Sequence, residues 1–144
     1  MYCTIENIIA DISEATLIEL TSDAVAPAEK ETNEALVTSK IEEVSRMIDT
    51  YLTSRYPIPV VNTDDLLRLR PIAVSLVVCE LYQRRIGLDY SESLQARRRD
   101  ATAQLEKIQK GVIVLSAGTP DTRPSFYRTN KRTRIFTDET FLGY

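Results

Sequence analysis

A chain of 144 residues, 43% apolar and 27% charged, has the size and balance of one globular domain with a modest core. Four glycines and six prolines argue against an all-β or low-complexity protein, and the longest apolar run, Ile72 to Cys79, falls well short of the roughly 20 residues a membrane span needs. The net charge of −3 conceals an asymmetry: residues 1–50 carry eleven acidic and three basic side chains, and the remainder ten acidic and fifteen basic.

Thr4 is placed to cap a short helix whose apolar residues Ile5, Ile8, Ile9 and Ile12 keep helical spacing. Ser13 and Glu14 open a second short helix through Leu17, Ile18 and Leu20. Residues 21–31 hold Pro27 and no apolar period, and read as a loop. Asn33 then caps the clearest helix, 33–54, with a stripe of Val37, Ile41, Val44, Ile48 and Leu52. Glu34, Glu42, Glu43 and Asp49 lie off that stripe, where they should face water or a partner.

"RYPIPV" closes this helix, because a residue before proline is pushed away from helical backbone. Thr63 is expected to cap the next element, with Asp64 and Asp65 suiting its positive end. Pro71 would cost about 3 kcal/mol inside a helix, so a kink or restart is expected there, followed by a buried helix at 72–86. Gly87 should end it. Ser91 caps the last helix, 92–110, whose seam reads Leu94, Arg98, Ala101, Leu105, Ile108. Arg98 thus occupies a core-facing step, from which it either snorkels to the rim or pairs with Glu80, the only charge in the apolar helix. Gly111 stops the helix, and residues 112–115 could form one short strand.

The expected architecture is therefore all-α: a compact bundle with two short N-terminal helices, three longer helices and an extended C-terminal arm. A domain spans residues 1–118 and the arm spans 119–144. No basic region precedes the apolar residues of "MYCTIENII", so no secretory signal is expected. Cys3 and Cys79 lack metal-type spacing, and Cys79 reads as a small core residue in a reduced, cytosolic protein.

The sequence offers little for catalysis. It has no histidine, which removes the Ser-His-Asp and Cys-His arrangements and the commonest metal ligand. Adjacent carboxylates at Glu42-Glu43 and Asp64-Asp65 point in different directions on a helix, and no glycine-rich phosphate loop occurs. No catalytic residue, cofactor or metal is expected. The arginines at 97–99 fan over roughly 200° of a helix and are followed by Asp100, so they read as surface charge. The arm is different: Arg123, Arg128, Lys131, Arg132 and Arg134 are interleaved with Phe126, Tyr127 and Phe136. That pattern suits either phosphates with stacked bases or an arm anchored on a neighbouring protein.

Five fragments in order, "MYCT", "RYPIP", "LYQRR", "LEKIQKGVIVL" and "RIFTDETFLGY", resemble the Mu-like phage head–tail connector, or neck, proteins. The matching positions are Tyr2, Thr4, Arg55, Tyr56, Pro57, Pro59, Leu81, Tyr82, Arg85, Leu105, Gly111, Phe136 and Gly143. Three features depart from the family pattern: the loop at 21–32 lacks its glycine-containing acidic character, Arg98 replaces an aromatic residue, and Pro71 interrupts a usually unbroken helix. The resemblance implies a non-enzymatic structural protein of the virion, made in the host cytoplasm and built into the neck. It implies a homo-oligomeric ring of 12 copies, joining the portal protein to a tail-side neck or terminator protein. Genomic DNA would pass through the channel without sequence-specific binding, and no membrane is involved. A tail-completion or tail-terminator protein, and a small nucleic-acid-binding module using the basic arm, are the alternatives.

On this reading Phe126, Tyr127, Arg128, Arg132, Arg134, Ile135, Phe136, Phe141, Leu142 and Tyr144 form the arm interface. Glu34, Glu42, Glu43, Asp49, Arg97 and Arg99 face neighbouring copies or the channel. Arg55, Tyr56, Pro57, Pro59, Glu80 and Arg98 have structural roles.

Overall fold

The computed structural model describes residues 1–23, 31–85 and 91–116. Five helices follow in these segments: α1 Ile5–Ile12, α2 Glu14–Thr21, α3 Glu34–Leu52, α4 Thr63–Arg84 and α5 Glu92–Gln109. The fold is all-α, and no strand occurs among the described residues. The loop around Pro27, the helix stop at Gly87 and the whole arm at 119–144 lie outside them.

Helices α3, α4 and α5 pack on one another, and α1 and α2 lie against the bundle chiefly on α4. The stripe of α3 is buried as its spacing demands, with Val37, Ile41, Val44, Ile48 and Leu52 all in the core. From α5 the core takes Ala101, Leu105 and Ile108. Helix α4 contributes most, from Leu69 through Leu81, and Cys79 is one of its core residues.

Local capping chemistry sets most boundaries. Asn33 and Ser91 accept the backbone N–H of Leu36 at 3.1 Å and of Leu94 at 3.4 Å. Ser13 has a positive φ of 70°, ends α1 by donating its N–H to the Ile9 carbonyl at 2.9 Å, and opens α2 by accepting from Thr16 N–H at 3.4 Å.

Three expectations are corrected. Asn62, not Thr63, caps α4: its Oδ1 accepts the Asp64 N–H at 2.9 Å, and Thr63 is already helical. Pro71 does not divide the helix, and 72–86 is the second half of one element ending at Arg84. Leu69 and the run from Ile72 to Cys79 bury side chains on both sides of the proline, at roughly 1.5–3 kcal/mol for each large one, which outweighs one missing hydrogen bond. Pro71 itself is exposed and lines a shallow groove beside Ser75. Third, residues 112–115 are no strand, because no second extended segment runs beside them among the described residues. Of the two outcomes open to Arg98, the pair with Glu80 is the one formed, at 2.9 Å, and Arg98 also donates to Gln83 Oε1 at 2.6 Å.

Candidate interaction surfaces

The antiparallel course of α3, α4 and α5 brings three segments to one end of the bundle. They are the connector 53–62, the first turns of α4, and residues 111–116 after α5. The "RYPIP" residues fasten them together. Gly111 adopts φ +75°, the left-handed conformation that lets the chain turn off α5, and its Cα lies against the Arg55 guanidinium. The Tyr56 hydroxyl accepts the buried Leu115 N–H at 3.2 Å. Asp65, fully buried, accepts the Ser116 N–H at 2.7 Å, and Arg68 donates to the Val114 carbonyl at 3.4 Å. Pro57 lies in this connector, and the Ile58–Pro59 peptide is cis.

This fastening buries Leu115, while neighbouring apolar side chains are exposed. Val61 is 85% exposed and Val112 72%; Leu67, Val114, Ile58 and Ile113 are exposed with them. Apart from Met1, these are all the exposed large apolar residues among the described ones. A lone exposed valine is unremarkable, whereas six drawn to one end form a surface.

The charged residues expected at a ring interface or channel are distributed differently. Glu42 pairs with Arg46 at 3.1 Å and Glu43 with Lys40 at 2.7 Å, each within α3. Asp49 accepts the hydroxyl of the buried Tyr2, an intramolecular tie between the N-terminus and α3. Burial, and then this hydrogen bond, raise the Tyr2 pKa far above that of a free phenol. Arg97 spans the groove between α1 and α5, bonding Asp11 at 2.8 Å and Ser75 at 3.0 Å. Glu34 and Arg99 are exposed, and Arg99 reaches back to the Gln95 carbonyl at 3.4 Å. At the other end of α4, Arg84 forks onto Asp23 at 2.7 and 2.8 Å, and Arg85 donates to the Ser22 carbonyl. The arm-interface residues from Phe126 to Tyr144 lie outside the described residues.

An open cavity of about 410 Å³ lies beside the N-terminus, lined in part by Cys3, Ile41, Leu66 and Arg70. Burial pushes the Cys3 thiol up to about 11 despite the nearby N-terminal amine and Arg70. No group of three or more His, Cys, Asp or Glu side chains is arranged to hold a metal ion among the described residues, and none of their helices is long and apolar enough to cross a membrane. Sequence reading missed the apolar end surface. Its signal is "VIVL" directly after a helix-stopping glycine, a run that by its sequence could equally form one short strand.

The family described as "Bacteriophage Mu, Gp36" matches residues 2–131, which takes in all five helices, the fastened end and part of the arm. No curated protein matches the chain. The chain belongs to the Bacteriophage Mu Gp36 family, and is a phage structural or morphogenetic protein.

Proposed function

We propose that this protein is a neck component of a tailed phage, a ring-forming connector between the portal of the DNA-filled head and the tail. The observation that carries this reading is the fastened arm root. Arg68, Tyr56 and Asp65 hold the chain at Val114, Leu115 and Ser116, so whatever follows leaves the domain from one defined place. A helical bundle followed by a basic, aromatic segment that starts from a set position suits a protein that joins others. Enzymatic turnover is not part of the proposal. In a ring the interface is heterologous, one face of each copy meeting a different face of the next. The acidic first fifty residues and the basic remainder favour such head-to-tail contact.

Truncation after Gly118 tests the role of the arm. The domain should keep its helical circular dichroism, while attachment to portal-bearing heads should fail. Normal head–tail joining by the truncated protein would sink the connector role assigned to the arm. A steeply salt-dependent affinity of the free protein for duplex DNA would favour the nucleic-acid-binding alternative instead.

A further inference from the structure

We infer that the apolar end surface formed by Ile58, Val61, Leu67, Val112, Ile113 and Val114 is the docking site for the aromatic arm of a second copy of this chain. The surface is built, not incidental. Three hydrogen bonds, at Val114, Leu115 and Ser116, hold its backbone, with Leu115 buried and the β-branched side chains of Val112, Ile113 and Val114 exposed. Folding of the single chain gains nothing from that outward placement, because burial and not exposure of apolar area is what stabilises.

The occupant follows from what the chain carries next. Residues 117–144 begin where the surface ends, and they hold Phe126, Tyr127, Ile135, Phe136, Phe141 and Leu142. Aromatic side chains are the usual anchors of such contacts, since they bring large apolar area at small entropic cost. Between Ser116 and Phe126 stand Pro120 and Pro124. Ten residues of chain can span at most roughly 33–36 Å, a length sufficient to bring these aromatics to the surface of a neighbouring copy. Arm given to one neighbour and surface offered to the other is a heterologous contact, the kind that closes a ring. The inference rests on the ring reading only in requiring that copies associate.

Complementation tests it in the full-length chain. A surface variant, Val61→Asp with Val112→Asp, and an arm variant, Phe136→Ala with Phe141→Ala, are followed by sedimentation alone and mixed. Wild-type protein should self-associate, and each variant alone should do so at least about tenfold more weakly. The equimolar mixture should recover one contact and form a one-to-one pair, because the surface variant keeps its arm and the arm variant keeps its surface. Association of the arm variant by itself at wild-type strength would overturn the inference in favour of surface-to-surface pairing. A wild-type chain that stays monomeric would also overturn it, pointing to the arm on its own domain. Both valines are exposed, so the fold should survive; if it does not, Val61→Ser replaces the pair. Head attachment is read separately: wild-type attachment without complementation removes this contact and leaves the neck role standing, while complementation without attachment does the reverse.

Discussion

The Arg55 guanidinium lies so close over Gly111 that a Cβ built on the glycine would fall 2.2 Å from Arg55 Nη1 and 2.6 Å from its Cζ. The two residues are far apart in sequence and belong to separate fragments, "RYPIP" and "LEKIQKGVIVL". The positive φ of Gly111 turns the chain off α5, and the guanidinium lies against that turn.

Gly111→Ala is expected to destabilise the domain by about 1–2 kcal/mol, mainly because alanine resists a positive φ. Arg55 presents the movable end of a long side chain and can yield. Urea unfolding of Gly111→Ala in wild-type and Arg55→Ala backgrounds separates the two causes. A similar loss in both backgrounds assigns the cost to backbone, and a loss that vanishes without Arg55 assigns it to the clash.

Tyr56→Phe removes the acceptor of the buried Leu115 N–H and should cost about 1–2 kcal/mol. Hydrogen exchange at Leu115 should quicken before exchange in the core of α4 changes. Unaltered protection there would show that the hydroxyl does not hold the arm root.

The Glu80–Arg98 pair is partly exposed, its side chains being 23% and 36% accessible, so solvent weakens it. A double-mutant cycle with Glu80→Gln and Arg98→Ala should give a coupling of about 0.5–1 kcal/mol. A coupling near zero would reduce the pair to two independently solvated groups.

Pro71→Ala should stabilise the protein by about 1–2 kcal/mol. The regained helical hydrogen bond and the relieved ring clash exceed the roughly 1 kcal/mol by which proline restricts the unfolded chain. Thermal melts decide it, and a lower Tm would mean that the ring on the groove beside Ser75 contributes packing.

The Cys3 thiol titrates higher in the folded than in the unfolded protein, so folding favours its protonated form. Its contribution is complete below the ordinary thiol pKa of about 9 and is lost as pH rises towards about 11, a difference on the order of 2 kcal/mol. Cys3→Ala should therefore lessen the fall in stability measured across that window. Equal slopes in the two proteins would contradict the assignment.

The sequence alone determined helices α1, α2, α3 and α5, their caps at Thr4, Ser13, Asn33 and Ser91, and the buried stripe of α3. Those features depend on residues within a turn or two of one another, where spacing and side-chain chemistry suffice. Local rules misjudged Pro71, because the burial that carries α4 through the proline comes from neighbouring helices. They could also not choose between solvent and Glu80 for Arg98.

Several positions in the resembling fragments proved to be joints between distant elements: Tyr2 on Asp49, Arg55 on Gly111, Tyr56 on Leu115 and Arg85 on Ser22. Only the tertiary structure decided that "VIVL" would bury its leucine and turn its three β-branched residues outward. Which side chains of this bent segment face solvent is set by what packs beneath it, here Tyr56 and Asp65, and these stand more than fifty residues away in the chain.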